Sequence, residues 1–322
     1  MKKKLVIILS VCVILLMVAY GLIGNYFYNF ALNANDEKEY LDENPHLEDS
    51  EALMAMADVA EEARVADNQF KLEYPPTAMS IVSNDKLQLK LHADMYKNGD
   101  SNSKWAIVAH GYTSSAAGMT RWVRNFYEEG FNVLAPDLRG HGNSEGNYIG
   151  MGWHDRLDML QWIDEIIALD PEAEIVLFGI SMGGATVMMA SGEELPSNVR
   201  VIIEDCGYTS VSDVFTYQLD DLFGLPPFPV MNAANTVTKL RAGYDLYEAS
   251  AVDQVAKNVT PMLFIHGDAD TFVPYEMLEE VYEATTVDKE KLVIPGAGHG
   301  EAEKVDPETY WNTIWKFVGK YM

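Results

Sequence analysis

The chain has 322 residues, 48% of them hydrophobic, with 49 acidic against 23 basic side chains and a formal charge of −26. That length suits one large α/β domain with accessories, and that charge repels phosphate backbones, which argues against nucleic acid as a partner. There are only two cysteines, Cys12 in an apolar N-terminal run and Cys206 in the globular part. No disulfide framework or zinc-type Cys/His spacing is present, and Cys206 reads as a small buried hydrophobe.

At the N-terminus Lys2, Lys3 and Lys4 precede Leu5–Gly24, twenty residues without a charge. That run is long enough to cross roughly 30 Å of hydrocarbon. Tyr20, Tyr26, Phe27, Tyr28 and Phe30 follow as an expected interfacial belt. A cleavable signal peptide is the alternative, but its apolar core is normally shorter, and Leu32-x-Ala34 is a mediocre cleavage site. Residues 1–35 are therefore expected to be a single-pass anchor, with secretion after cleavage as the other outcome. Either way, lysines held inside export the rest of the chain.

Residues 36–74 form an acidic linker. From Asp36 to Asp67 there are twelve acidic residues and two basic ones, and Ala52–Ala66 has helical composition. This segment reads either as a stalk or lid-like helix, or as a solvated spacer.

From about residue 75 to 322 strands alternate with helices, which predicts a mainly parallel, doubly wound sheet. Ala78–Ser83 and Leu87–Tyr96 form an opening antiparallel hairpin. The strands Trp105–Ala109, Phe131–Ala135, Glu174–Phe178, Val199–Glu204, Met262–Ile265 and Leu292–Ile294 follow. Helices are expected at Met119–Glu129, Asp155–Leu169 and Trp311–Tyr321. Over fifty residues separate the strands at 199–204 and 262–265, more than one crossover needs. A helical cap insertion over about 208–255 accounts for them.

The decisive motif is Phe178-Gly179-Ile180-Ser181-Met182-Gly183-Gly184, between an apolar strand and a helix. A serine exposed on a sharp strand–helix turn needs glycines two residues to either side, where side chains would strike neighbouring backbone. Its hydroxyl also needs a base that is itself oriented by a carboxylate. Downstream lie His266-Gly267-Asp268-Ala269-Asp270-Thr271-Phe272-Val273-Pro274 and Pro295-Gly296-Ala297-Gly298-His299-Gly300, each after a strand. His299 alone among the histidines lies beyond Asp268 and Asp270 in a glycine-rich loop. His266 and His92 read as structural, His141 and His154 as mouth residues without a chemical role, and Glu204 or Asp205 as alternative acids.

These segments resemble the α/β-hydrolase superfamily, and in detail its bacterial exported or membrane-anchored esterase-like and serine-aminopeptidase-like members. The resemblance covers approximately residues 75–322. It implies a catalytic triad of Ser181, Asp270 and His299, with Asp270 preferred to Asp268 by the HGxxDxxVP-like pattern. It also implies an oxyanion hole from the backbone N–H groups of Tyr112 and Met182, since His110-Gly111-Tyr112 is similar to the family's oxyanion turn. Asp137-Leu138-Arg139-Gly140-His141-Gly142-Asn143-Ser144 resembles its structural D-x-R-G-x-G-x-S loop.

The expected activity is a serine hydrolase cleaving carboxylic esters through an acyl-enzyme, with no metal or cofactor required. The cap contributes an apolar set (Phe215, Tyr217, Leu219, Leu222, Phe223, Phe228 and Met231), of which Phe215, Leu219 and Phe223 are the expected acyl-binding residues. The expected partners are a small-molecule ester or peptide and the membrane. A serine peptidase or amidase, an envelope acyltransferase, and a non-catalytic surface-binding scaffold are the alternatives.

Overall fold

The computed structural model describes residues 2–41, 44–99 and 102–322. The chain opens with helix α1 (Lys2–Leu32), then α2 (Glu51–Met54) and α3 (Ala57–Glu73). Strands β1 (Thr77–Val82) and β2 (Lys90–Tyr96) make the hairpin, and β3 (Lys104–Ala109), α4 (Thr120–Glu128), β4 (Asn132–Pro136), α5 (Asp155–Leu169), β5 (Glu174–Ile180), α6 (Met182–Ala190) and β6 (Val199–Asp205) continue the alternation. The cap comprises α7 (Val211–Phe223), α8 (Pro227–Arg241) and α9 (Ala251–Val255). The chain closes with β7 (Met262–Gly267), α10 (Glu276–Ala284), β8 (Lys289–Ile294), α11 (Ala302–Val305) and α12 (Pro307–Val318).

The eight strands form one sheet in the order β1-β2-β4-β3-β5-β6-β7-β8. Pairs β1/β2 and β2/β4 are antiparallel and the remaining five are parallel. This is the α/β-hydrolase fold. Alternation along β3 explains why both sheet faces must be covered. Trp105, Ile107 and Ala109 enter the core on one face, while Ala106 and Val108 enter the core on the other. Helix α6, apolar around its whole circumference, is buried along its full length.

The N-terminal segments are docked on this domain. Helix α1 is apolar and long enough to cross a membrane. It is exposed over most of its first twenty-three residues but buries Gly24, Tyr28 and Leu32. The aromatic residues therefore divide. Tyr26 stays exposed, whereas Phe27, Tyr28 and Phe30 turn into the α/β domain instead of forming a belt, because α8 and Phe223 supply an apolar surface there. Lys38 Nζ caps the end of α1, donating to the carbonyls of Asn29 and Asn33 at 2.9 and 3.0 Å. The acidic segment behind it is helical and lies against the domain. Asp67 pairs with Arg121 and Arg124 of α4, and Phe70 and Leu53 are buried. Ser50 caps α2 by accepting from the Leu53 N–H.

Candidate active site

Ser181 sits between β5 and α6 at φ 55°, ψ −116°, a left-handed region that no unconstrained serine adopts. The surrounding backbone leaves no room for side chains. A Cβ on Gly179 would lie 2.1 Å from the Gly183 carbonyl oxygen, and one on Gly183 would lie 2.2 Å from that of Ala109. Those glycines let the chain reverse tightly enough to lift the Ser181 hydroxyl above the sheet edge.

The loops after β7 and β8 bring two more side chains to that hydroxyl. His299 Nε2 lies 2.8 Å from Ser181 Oγ, and His299 Nδ1 lies 2.7 Å from Asp270 Oδ2. The other carboxylate oxygen, Oδ1, accepts from the backbone N–H groups of Phe272 and Val273, both at 2.9 Å. Burial by itself raises the pKa of Asp270. The His299 charge and the hydrogen bonds from both histidines outweigh it and hold the carboxyl well below its usual range. The Phe272 ring packs 4.9 Å from the imidazole of His299 and limits its rotation.

Two further residues support this arrangement. His266 is fully buried, its Nε2 3.0 Å from the Val273 carbonyl and 3.1 Å from Asp270 Oδ2, so it contacts the acid and does not merely end a strand. Burial lowers its pKa, but Asp270 and Glu204 reverse the shift and raise it. Glu301 anchors the His299 loop by accepting from Gly298 N–H at 2.7 Å and from Ser50 N–H at 3.1 Å. A carboxylate two residues after His299 was visible in the sequence, but its long-range partner was not.

The alternative acids are engaged elsewhere. Asp205 accepts from the Tyr310 hydroxyl at 2.8 Å, and Glu204 accepts from Gly207 N–H at 2.9 Å. Burial pushes Glu204 up to about 8 and Asp205 up to about 6. Cys206 lies close to Asp270 and His299, within metal-ligand spacing. Its thiol is buried and pushed well above its ordinary value, while Asp270 and His299 bond to one another beside Ser181.

The turn after β3 faces Ser181 from the other side. A Cβ on Gly111 would lie 3.4 Å from the Ser181 Cβ, which places Tyr112 next to the elbow. Met182 opens α6, so its N–H has no intrahelical acceptor. Behind the turn, buried His110 accepts from Leu138 N–H at 3.0 Å and His141 accepts from Thr113 N–H at 3.3 Å. The 137–144 loop is a scaffold. Arg139 clamps Asp158 with two bonds of 2.8 and 2.7 Å, and Asp137 accepts from Ala116 and Asn143 N–H groups. His154 pairs with the Tyr148 hydroxyl at 2.6 Å, and among the mouth histidines neither His141 nor His154 reaches Ser181.

A cleft opens over Ser181, lined by Tyr112, Met182, Phe215, Leu219, Leu222, Phe223 and Met231. Two members of the cap's apolar set lie elsewhere: Tyr217 donates to the Thr271 carbonyl at 2.8 Å, and Phe228 is exposed. The opposite wall was not anticipated. It is made by Phe27, Phe30, Ala31 and Leu32 of α1, with Tyr40 beside them.

The fold is that of the α/β hydrolases, and the turn at Ser181 has the form of a nucleophile elbow. Residues 100–207 match the family model described as Hydrolase_4, serine aminopeptidase, S33. The uncharacterized protein YqkD of Bacillus subtilis is 27% identical over 217 residues, 66% of this chain and 70% of its own length. The uncharacterized membrane protein YNL320W of Saccharomyces cerevisiae is 22% identical over 246 residues, 76% of this chain and 80% of its own. Among solved structures, the esterase Pf2001 of Pyrococcus furiosus superposes with a TM-score of 0.62 at 24% identity, covering 78% of this chain and 94% of that one. The acylaminoacyl peptidase of Pyrococcus horikoshii superposes with a TM-score of 0.57 at 16% identity, covering 76% and 41%. At these identities the structural likeness establishes the fold.

Proposed function

We propose that this protein is a serine hydrolase that cleaves carboxylic esters through an acyl-enzyme on Ser181. The observation that carries the proposal is the continuous relay from Ser181 Oγ through His299 to Asp270, at 2.8 and 2.7 Å. In this reading His299 Nε2 takes the hydroxyl proton as Oγ bonds to the ester carbonyl carbon. Asp270 holds the imidazole in the required tautomer and stabilises its cationic form. The carbonyl oxygen becomes an oxyanion between the N–H groups of Tyr112 and Met182, each contributing roughly 2.7–4 kcal/mol. The ester C–O bond then breaks, with the His299 proton passing to the leaving alkoxide. Water, deprotonated by His299, attacks the acyl-enzyme, and a carboxylic acid leaves as Ser181 regains its proton.

The lining of the cleft supports an ester over a peptide substrate. An aminopeptidase needs an anionic anchor for the substrate's ammonium group, and among the described residues that line the cleft none is charged. An envelope acyltransferase would use the same three residues and differ only in the acceptor. Labelling of the full chain with a fluorophosphonate, beside Ser181→Ala, tests the proposal. Labelling and turnover of p-nitrophenyl esters are expected to vanish in the variant, turnover by roughly 10⁴-fold or more. A folded wild-type protein that neither labels nor turns over would leave the non-catalytic scaffold as the better reading.

A further inference from the structure

Helix α1 does not end with the uncharged run Leu5–Gly24. It continues without a break from the exposed Leu5–Ile23 stretch to Leu32, and its last two turns form a wall of the cleft that holds Ser181. Phe27 and Phe30 each meet the ring of Phe223 edge-on at 5.2 Å, closing α1 against the cap. A second set of contacts ties α1 to the oxyanion turn. The Tyr112 hydroxyl donates to the Ala31 carbonyl at 2.6 Å, and Tyr40 donates to the Tyr112 hydroxyl at 3.3 Å. A third feature sets the distance between helices. Gly24 approaches so near that a Cβ there would lie 2.3 Å from the Ala233 carbonyl oxygen of α8, the small-residue contact by which membrane helices pack.

We infer that the substrate is a membrane-resident lipid ester whose acyl chain enters the cleft along α1, so that the anchor is also part of the binding site. The inference rests on the serine-hydrolase reading of Ser181. From Gly24 to Ala31 is seven residues, about 10 Å of helix, so the cleft begins close to the bilayer surface. The cap helix α8, packed beside α1, carries apolar side chains into solvent, with Phe228 76% and Leu240 81% exposed. The cleft itself has an uncharged, aromatic and aliphatic lining. A fatty-acyl chain leaving the bilayer along this path keeps apolar neighbours throughout, whereas one arriving through water must first be extracted at a cost that grows with every methylene. The chemistry is the hydrolysis described above, in which water adds across the ester to release a fatty acid and the alcohol that carried it.

The test uses the full chain in phosphatidylcholine vesicles, with dioleoylglycerol placed either in the same vesicles or in separate ones, and p-nitrophenyl butyrate in water as reference. Dioleoylglycerol in the shared bilayer is expected to be hydrolysed about tenfold faster, or more, than in separate vesicles. Ala31→Trp, which fills the cleft, is expected to lower the ratio of dioleoylglycerol to butyrate turnover by about tenfold. Phe30→Ala, which removes a wall ring without adding bulk, provides the same ratio test if the larger substitution fails to fold. Equal rates from the two vesicle populations, butyrate turnover without dioleoylglycerol hydrolysis, or an unchanged ratio in a folded variant would each overturn the inference. Absence of fluorophosphonate labelling in the wild-type chain would instead overturn the hydrolase reading on which it rests.

Discussion

Asp270 shows how much of the site depends on one buried carboxylate. It accepts two backbone N–H groups on one oxygen and contacts both His299 and His266 with the other. Asp270→Asn keeps the shape but presents an amide donor where the imidazole requires an acceptor. Turnover is expected to fall about 10⁴-fold with the circular-dichroism spectrum unchanged. Glu204 makes the contrasting case, since its ionised form is disfavoured. Its folded pKa is about 8 against an ordinary 4.5, so between those values the folded state retains a proton that the unfolded chain releases. The stability this group contributes is therefore complete below the unfolded value and declines as pH rises through that window. Glu204→Gln keeps an acceptor for Gly207 N–H. It is expected to flatten that decline, as read from urea midpoints at about pH 5 and pH 8.

At the scale of elements, the junction between α1 and α8 is the one most open to a single substitution. Gly24→Leu places a side chain where the Ala233 carbonyl already lies, and Arg241, which donates to Asn25 and Asn29 at 3.0 and 2.8 Å, loses its alignment. The expected result is faster hydrogen exchange across α7 and α8 with β5 and β6 unchanged. Uniform exchange in the variant and wild type would show that the cap holds its position without α1. The docking of the acidic segment has a different cause. Its composition left a stalk or lid-like helix and a solvated spacer both open; in the fold Asp67 is offset by Arg121 and Arg124, and Phe70 is buried. Charge composition is local, whereas its compensation came from a helix more than fifty residues away.

For the whole molecule, the question is where the hydrolase domain lies and whether α1 is retained. Leu32 is buried, Ala34 N–H donates to the Asn147 carbonyl at 3.3 Å, and Asn33 bridges to Tyr148. Cleavage after Ala34 would strip a wall from the cleft and remove the carbonyl that holds Tyr112. We propose that the protein remains an uncleaved single-pass anchor with its domain outside the cytoplasm, the orientation favoured by Lys2, Lys3 and Lys4. The intact mass of the membrane-extracted protein is expected to include residues 2–34. A membrane-impermeant fluorophosphonate is expected to label Ser181 in intact cells. A mass beginning beyond Ala34, or labelling only after lysis, would contradict this placement.

What the sequence by itself determined was whatever depends on neighbours in the chain. The alternation of strands and helices, the opening hairpin, the cap insertion and the presence of an apolar N-terminal run follow from periodicity and composition. The elbow around Ser181 was legible because steric exclusion at Gly179 and Gly183 acts within a few residues. Asp270 and His299 were legible because loops after successive parallel strands emerge at one sheet edge, and the structure brings both side chains to Ser181. Only the tertiary structure decided the partners drawn from distant segments: Glu301 against Ser50, and Phe27, Phe30 and Ala31 across from the cap. Apolar and aromatic side chains bury without directional preference, so the same residues satisfy a membrane interface or a protein cleft equally well. Nothing in their order distinguishes the two until the opposing surface is in place.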